Sequence, residues 1–331
     1  MTEDLLRVEG LTVRFGGVPA IEDVSFSLRP GETLAIVGES SSGKSVTALA
    51  LMRLLGDGRT CSVAGQALLR GPGGRETDLL ALPERAMADL RGRALGMIFQ
   101  EPMTSLNPVH TVGDQISESL VRHERLSARA AAARAVELLA EVGIPEPGRR
   151  ASAYPHQLSG GMRQRAMIAI ALACRPRILI ADEPTTALDV TIQAQILDLL
   201  RRLQRENGMS VIFITHNLGV VAEIADRVVV MYAGQVVEDA PVAALLSRPM
   251  MPYTAGLMRS VPRLDAALET RRRLVAIPGN VPDPRQRPAG CSFHPRCGHA
   301  RPDPCEHARP ALEWAAAEHR VRCARWRDIA A

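Results

Sequence analysis

Residues 33–47 carry the spacing with the clearest chemistry. Gly38 is followed, after four residues, by Gly43, Lys44 and Ser45, which fits the phosphate-binding pattern G-x-x-x-x-G-K-[ST]. Backbone N–H groups at the start of a helix converge on one point and stabilise an anion there. We expect Lys44 to contact the β- and γ-phosphates of a nucleotide and the Ser45 hydroxyl to reach Mg²⁺. The residues predicted to bind the nucleotide here are Gly38, Glu39, Ser40, Ser41, Ser42, Gly43, Lys44 and Ser45.

The elements around this loop support that interpretation. Residues 34–37 form a short apolar run, as in a buried parallel strand, and residues 46–55 have the composition of a helix. Lys44 is the only lysine in the chain, since every other strong cation is arginine. A compact ammonium suits a point charge on phosphate, and arginine is not equivalent to it. The alternative is a serine-rich turn that only joins a strand to a helix.

A second candidate site follows the apolar residues 178–181, which predict another buried strand. This strand would place Asp182 and Glu183 at its carboxyl end, where ligands bind in open α/β sheets. Asp182 is expected to hold Mg²⁺. Glu183 is expected to polarise the attacking water as general base. An acidic helix start is the alternative, but the preceding strand and Pro184 argue against it.

Another anion site is predicted at residues 158–161, which read LSGG before a helix at 162–174. Ser159 has the chemistry of an N-cap, and Gly160 and Gly161 allow close backbone approach to a ligand. The helix start would then present N–H groups to an anion. The alternative is a capped helix without a ligand.

Two single residues have a structural and a functional interpretation. Phe15 ends a predicted strand before Gly16 and Gly17, and is either a core aromatic or a face on which adenine stacks. His216 follows the apolar strand predicted at residues 211–215. A histidine at a strand end is usually a hydrogen-bonded surface residue. After a phosphate loop and an acidic strand, we expect His216 to contact a γ-phosphate.

The composition places limits on the class of protein. The chain has 331 residues, 46% of them hydrophobic and 23% charged, which suits one large domain and a smaller one. The net charge of +4 does not by itself indicate nucleic acid. No apolar run reaches the roughly 18 residues of a membrane-spanning helix, and the acidic, polar start is unlike a secretory signal. We therefore expect a cytoplasmic protein without disulfides.

The remaining elements are predicted from alternation, composition and turn residues. The predictions are an antiparallel sheet over residues 5–29, a surface hairpin within 56–80, a strand at 96–99, helices within 112–143, a long helix at 190–207 and short strands at 227–232 and 235–238. Four prolines within residues 277–288 predict a non-helical connector. Arginines at 271–273 are a solvated charge run or a contact with lipid headgroups.

Four of the six cysteines are crowded into the end of the chain, at Cys291, Cys297, Cys305 and Cys323. Disulfides are disfavoured by the expected compartment. Zinc is plausible because four histidines lie among them, but the closely spaced C-x₂₋₄-C pairs of zinc sites are missing. Four thiolates can also hold a [4Fe–4S] cluster, for which several spacings occur.

Taken in order, the motifs of residues 5–250 resemble the nucleotide-binding subunits of ABC transporters. The matching pieces are the phosphate loop 38–45, Gln100, the LSGG motif 158–161, the acidic pair Asp182 and Glu183, the loop 187–189 that ends in Asp189, and His216. The resemblance implies an α/β fold, with a phosphate-loop ATPase core sheet, an antiparallel β subdomain and a helical subdomain at about residues 100–175. A nucleotide-binding domain would span 1–250 and a small cysteine-rich extension 251–331.

The resemblance also implies roles for several of these residues in binding and hydrolysing ATP with Mg²⁺. Phe15 would stack on adenine, and Gln100 would link Mg²⁺ and water to the membrane partner. Ser159, Gly160 and Gly161 would bind the γ-phosphate held by an opposite subunit, so hydrolysis would require a head-to-tail dimer. Asp189 would also be one of the residues that bind the nucleotide.

Two positions depart from the family pattern. The family's LSGGQ reads LSGGM here, although the peptide-importer branch often has methionine at the position of Met162. Ser41 stands where that branch usually has glycine. If the loop requires a positive φ there, serine would cost roughly 1–2 kcal/mol.

The tail resembles that of oligopeptide and dipeptide importer ATPases, with Met251 where their His-Pro-Tyr-Thr sequence has histidine. That resemblance implies a structural [4Fe–4S] cluster on the four cysteines, and we favour it over Zn²⁺. It further implies an ATPase subunit on the cytoplasmic face of the inner membrane, without a nucleic-acid partner. The expected partners are a second ATPase subunit, a paralogue or the same chain, two membrane permease subunits and, indirectly, an extracytoplasmic solute-binding protein. The alternative is a non-transport ABC ATPase acting on DNA or the ribosome.

Overall fold

The computed structural model describes residues 3–56, 60–186, 188–260 and 276–329. Two sequence interpretations lie outside the described residues: Ala187 in the loop before Asp189, and the arginine run 271–273. The chain divides into two units, which we describe separately. Unit 1 comprises Met1–Arg29, Thr33–Ala81 and Thr215–Ala331, and unit 2 comprises Pro30–Glu32 and Leu82–Ile214.

The described residues form strands and α-helices, with five helices in succession between the sixth and seventh strands. The strands are β1 (Leu6–Phe15), β2 (Val18–Leu28), β3 (Thr33–Val37), β4 (Cys61–Arg70), β5 (Glu76–Asp78), β6 (Leu95–Ile98), β7 (Ile178–Asp182), β8 (Ser210–Thr215), β9 (Arg227–Tyr232), β10 (Gln235–Pro241), β11 (Glu313–Ala316) and β12 (His319–Val321). The helices are α1 (Lys44–Leu51), α2 (Glu84–Leu90), α3 (Pro102–Ser105), α4 (Val112–Glu124), α5 (Ala128–Glu141), α6 (Pro147–Ala151), α7 (Gly160–Leu172), α8 (Val190–Asn207), α9 (Leu218–Ile224), α10 (Val242–Ser247), α11 (Pro252–Ser260) and α12 (Trp326–Ile329).

Unit 1 contains an antiparallel sheet of four strands in the order β2-β1-β4-β5. Leu6 lies opposite Leu28 on one neighbouring strand and Leu69 on the other. The burial of β1 alternates along much of its length, because successive side chains point to opposite faces of a sheet. The predicted antiparallel sheet over residues 5–29 is thereby confirmed.

Unit 1 also contributes strands in the order β11-β12-β10-β9-β3 to a second sheet. Strand β3 runs parallel to β9, whereas the pairs β9–β10, β10–β12 and β12–β11 are antiparallel. All five residues of β3 are buried, which explains its continuous apolar sequence. The strand ends where the phosphate loop begins, so the sheet fixes the loop's first residue.

Unit 2 contributes the parallel strands β8, β7 and β6 together with helices α2 to α8. Ala181 pairs with Phe213 and Asp182 with Ile214, so the carboxyl ends of β7 and β8 meet at one edge. Helix α8 buries one apolar stripe, as an amphipathic surface helix does. The buried residues are Ile196, Leu197, Leu199, Leu200 and Leu203.

The predicted long helix at 190–207 is confirmed. Helix α1 was expected at residues 46–55 but begins at Lys44 and ends at Leu51. The connector 277–288, expected to be non-helical, contains one 3-10 turn at Pro284–Gln286. The Asp283 side chain accepts the Arg285 N–H and caps that turn. None of the helices in the described part of the chain contains an apolar stretch of the length needed to span a bilayer.

Candidate active site

The phosphate loop of unit 1 is shaped by two glycines whose positions leave no room for a side chain. A Cβ on Gly38 would lie 2.2 Å from the Met231 carbonyl oxygen. At Gly43 a Cβ would lie 2.3 Å from Ile21 Cγ2, and its φ of 98° is unfavourable for other residues. The strands on either side can therefore approach the loop closely only because these two residues are glycine.

Lys44 lies inside the loop, with only 5% of its surface exposed. Its Nζ donates to the carbonyl oxygens of Gly38 at 2.8 Å and Glu39 at 3.0 Å. The Ser42 hydroxyl is 3.4 Å from the same ammonium, and the Ser42 N–H donates to the Glu39 carbonyl at 3.2 Å. The loop thus holds its own cation, and the Glu39 carbonyl accepts hydrogen bonds from both Ser42 and Lys44.

Ser41 adopts the left-handed conformation, with φ 64°. The loop therefore does require a positive φ at this position, as considered from the sequence. A residue with a β-carbon is strained there by roughly 1–2 kcal/mol. Both Ser41 and its neighbour Ser40 are exposed. The strain lies in the part of the loop that the sheet does not bury.

Phe15 and His216 both belong to unit 1, and each lies at the end of a strand or directly after it. Phe15 is 40% exposed, so the interpretation as a core aromatic is excluded. His216 is exposed directly after β8, and Asn217 caps the following helix α9 by accepting the Gly219 N–H at 2.9 Å. The roles predicted for both residues toward a nucleotide stay predictions.

In unit 2 the acidic pair lies at the carboxyl end of β7 as predicted, and the two carboxylates lie in different environments. Asp182 is the last residue of the strand and is buried. Glu183 has left the strand, with φ 46° in the left-handed region. Its Oε2 accepts hydrogen bonds from Gln100 Nε2 at 3.3 Å and Thr186 Oγ1 at 2.8 Å. Strained backbone of this kind is common at functional sites, because the surrounding structure over-determines it.

Two helix starts in unit 2 carry the remaining candidate residues. Ser159 caps α7 by accepting the Met162 N–H at 3.3 Å, and both Ser159 and Gly160 are exposed. A Cβ on Gly160 would meet nothing within 4 Å, so this helix start is open. Asp189 caps α8 by accepting the Ile192 N–H at 2.9 Å. The N-cap predicted for Ser159 is confirmed, and the ligand roles of these residues are not tested by the structure.

Three contacts of these loops were not anticipated from the sequence. Thr186, which orients Glu183, follows it by three residues, so a hydroxyl at that offset was the available signal. Tyr253 and Arg296 both bind Glu39 of the phosphate loop. They lie 214 and 257 residues away along the chain, so local sequence patterns carry no sign of these contacts.

The four C-terminal cysteines line one cavity, together with Met251 and two histidines. Burial raises the pKa of Cys291 and Cys297, and that of Cys323 to about 11. A Cβ on Gly290 would lie 2.2 Å from the Cys305 carbonyl, which accepts the Cys291 N–H at 2.9 Å. The segments that carry these cysteines are thus packed backbone against backbone.

Within the part of the chain that the structure describes, no three His, Cys, Asp or Glu side chains are grouped as for a single metal ion. His319, one of the histidines among the cysteines, is instead buried against Glu238, with Nε2 2.8 Å from Oε1. The predicted iron–sulfur cluster therefore receives no support from the grouping of the described side chains and stays a prediction.

Comparison with known families identifies both parts of the chain. A model of the ABC transporter family matches residues 21–186, and a model of the oligopeptide/dipeptide transporter C-terminal region matches residues 237–305. A protein of Brucella abortus (strain 2308), provisionally named a peptide import ATP-binding protein, is 56% identical over 99% of each chain. A second protein of that strain with the same provisional name is 50% identical, over 94% of this chain and 92% of its own.

Solved structures show the same fold. The dimeric ATP-binding cassette MJ0796, in a post-hydrolysis state with ADP and Pi, is 28% identical with a TM-score of 0.62, over 72% of this chain and 98% of that one. The cbiO1 protein of Clostridium perfringens, part of the cbiONQ ABC transporter complex, is 26% identical with a TM-score of 0.61, over 74% of this chain and 92% of its own. The chain therefore belongs to the ABC transporter family, as an ATP-hydrolysing member that carries the C-terminal region of the oligopeptide/dipeptide transporters.

Proposed function

We propose that this ATPase drives the import of peptides, or of a related small solute, through a membrane transporter. One observation carries the proposal: an ABC ATPase and an oligopeptide/dipeptide transporter C-terminal region occur together in one chain. Full-length relatives named for peptide import support the same conclusion. The transported solute itself would be selected by the membrane and extracytoplasmic partners, which this chain does not contain.

The nucleotide would be ATP, bound to the loop 38–45 in unit 1. The backbone N–H groups at the start of α1 and the ammonium of Lys44 supply the positive charge that a triphosphate requires. The hydroxyl of Ser45 and the carboxylate of Asp182 are oxygen donors, which suit Mg²⁺. Bound Mg²⁺ would neutralise charge on the phosphates. The exposed ring of Phe15 offers a surface for adenine.

Glu183 is proposed as the general base that takes a proton from the attacking water. Its carboxylate is oriented by hydrogen bonds from Gln100 and Thr186 to the same oxygen. A base whose side chain is already oriented loses less entropy on reaching the reactive geometry. His216 would contact the γ-phosphate, and Gln100 would link Mg²⁺ and water to the membrane partner.

The active form would be a head-to-tail dimer. The exposed start of α7, with Ser159, Gly160 and Gly161, would complete the nucleotide site of the opposite subunit. The open space around Gly160 is compatible with a phosphate approaching from another chain. The second subunit would be a paralogue or a copy of this chain, and the dimer would dock on two permease subunits at the cytoplasmic face of the inner membrane. An extracytoplasmic solute-binding protein would deliver the solute.

The four C-terminal cysteines are proposed as ligands of a [4Fe–4S] cluster with a structural role. Four thiols around one cavity match the donor set of such a cluster. A single Zn²⁺ needs all its ligands within about 2.3 Å of one point. A cluster spreads its cysteine sulfurs over four irons, so the lack of a single-ion grouping among the described residues weighs more against zinc than against the cluster.

The transport function is tested by deleting the gene and measuring uptake of labelled dipeptides and oligopeptides. The wild-type gene should restore uptake, while Glu183→Gln and Lys44→Ala should not. Permease subunits should co-purify with the wild-type protein. Normal peptide uptake in the deletion strain, with co-purification of ribosomes or DNA instead, would support the non-transport alternative.

A further inference from the structure

Glu39, the second residue of the phosphate loop, is held at two points by residues near the end of the chain. Its N–H donates to the Tyr253 hydroxyl oxygen at 2.9 Å. Its carboxylate accepts two hydrogen bonds from Arg296, at 2.7 Å from Nη1 and 3.0 Å from Nη2. Both anchoring residues lie within 237–305, the match to the oligopeptide/dipeptide transporter region. The ATPase loop is therefore tied to the extension that distinguishes this branch.

Arg296 is itself fixed, so it can serve as an anchor. Its side chain is 4% exposed, and Nε donates to the Pro278 carbonyl at 2.8 Å. The guanidinium carbon lies 5.7 Å from the centre of the Tyr232 ring and 6.0 Å from that of Phe293. The hydrogen bonds to Glu39 raise the pKa of Arg296, although burial opposes the rise. A planar, bidentate fork of this kind fixes both the distance and the direction of a carboxylate.

The main-chain carbonyl of Glu39 contacts other residues of the phosphate loop. It accepts hydrogen bonds from the Ser42 N–H and from Lys44 Nζ. Because this carbonyl and the anchored carboxylate belong to the same residue, a displacement of Glu39 displaces an acceptor of the lysine ammonium. The anchors and the only lysine of the chain thus act on one residue.

We propose that Arg296 and Tyr253 are positioning residues that hold the phosphate loop in the geometry that receives a triphosphate. The inference rests on the proposed assignment of the loop as the ATP site. It adds that the C-terminal extension takes part in ATP binding without touching the nucleotide. A loop ordered in advance loses less conformational freedom on binding, so the anchors act mainly on affinity.

The chain offers a matched control in Arg322. Arg322 directly precedes Cys323, as Arg296 directly precedes Cys297, and its side chain is 7% exposed. It pairs with Asp23, which is not in the phosphate loop, at 3.1 Å. Replacing either arginine by methionine removes a buried cation next to a cysteine. Only Arg296→Met removes a contact with Glu39.

The test measures the dissociation constant of a fluorescent ATP analogue with Mg²⁺, and KM and kcat for ATP, in the full-length protein. Arg296→Met should raise the dissociation constant and KM by about tenfold, the loss of one charged hydrogen-bonded contact. The kcat at saturating ATP should stay within about twofold of wild type, because a uniform binding contribution is lost. Tyr253→Phe should act in the same direction, and Arg296→Lys should recover part of the affinity. Arg322→Met should leave the dissociation constant unchanged even where it lowers the melting temperature.

Two further measurements separate positioning from folding. Hydrogen exchange of the amides of residues 39–45, without nucleotide, should quicken in Arg296→Met and not in Arg322→Met. Glu39→Gln, which alters the loop side of the contact, should weaken ATP binding, and its effect should not add to that of Arg296→Met. This variant also keeps the test decisive if Arg296→Met does not fold.

The outcomes distinguish this inference from the proposed function. If wild type and Lys44→Ala bind ATP equally, the loop is not the ATP site. If Lys44→Ala fails to bind while Arg296→Met and Glu39→Gln bind like wild type, the loop is the ATP site and the anchoring role is refuted. A loss of affinity in Arg322→Met equal to that in Arg296→Met would also refute it.

Discussion

Gln100 Nε2 and Glu183 Oε2 are joined by a hydrogen bond of 3.3 Å, although 83 residues separate them along the chain. The contact brings the residue after β6 to the residue after β7, two neighbouring parallel strands. Thr186 donates to the same carboxylate oxygen. The base proposed for ATP hydrolysis is thus oriented by Gln100, the residue expected to link Mg²⁺ and water to the membrane partner.

Glu183→Gln should lower kcat for ATP hydrolysis by roughly 10²–10⁴-fold, because an amide cannot take the proton from water. The affinity for ATP should change little, since the substitution keeps the size of the side chain. Phosphate release and binding of an ATP analogue measure the two quantities. Glu101→Gln is the control, because it changes an exposed carboxylate that is next to Gln100 in the sequence. This variant should keep kcat. Unchanged turnover in Glu183→Gln would remove this residue from the role of base.

Ser41→Gly should raise the free energy of unfolding by about 0.5–1 kcal/mol. Relief of the left-handed strain exceeds the entropy that glycine adds to the unfolded chain. Ser40→Gly is the matched control, because Ser40 is not among the described residues with positive φ. It should lower stability by roughly 0.4–1 kcal/mol. Urea unfolding measures both, and equal effects of the two substitutions would contradict the assigned strain.

Local spacing was sufficient to predict the motifs and their order along β3, α1, β7 and α8. These elements depend on short-range apolar patterns, and the start of α7 depends on the N-cap Ser159, which was predicted from its residue type. The contacts of Glu39 were not predictable, because Tyr253 and Arg296 meet it only after the chain has folded. The exposure of Phe15 was likewise undecided, since a strand end beside two glycines suits both a core and a surface ring.

The protein purified without oxygen should contain about four irons and four acid-labile sulfides per chain, the content of one [4Fe–4S] cluster. Cys297→Ser should reduce both, because one of the four thiol ligands is lost. Cys61→Ser, a substitution in β4 and outside the cysteine cavity, should change neither. Iron, sulfide and zinc are measured on the same samples. Stoichiometric zinc without sulfide would overturn the assignment of a [4Fe–4S] cluster to these cysteines.

Glu238→Gln should lower the free energy of unfolding by about 2–4 kcal/mol. The fully buried carboxylate accepts the Met250 N–H at 2.6 Å, the Met251 N–H at 3.3 Å and a contact from His319 at 2.8 Å. An amide presents its own N–H groups to one of these donors, so a buried group loses its partner. Glu137→Gln on the exposed face of α5 should stay within about 0.5 kcal/mol of wild type. Equal urea midpoints for the two variants would contradict this account.

Because Lys44 is the only lysine of the chain, chemical modification of lysine side chains reports on one position. Amine-reactive reagents can modify only this lysine side chain. Its ammonium is hydrogen-bonded to the carbonyl oxygens of Gly38 and Glu39 in the loop. Its modification rate consequently follows how often that loop opens, and a bound triphosphate would slow the reaction by covering the ammonium. Mass spectrometry of one peptide can then follow loop opening and ATP occupancy without any engineered label.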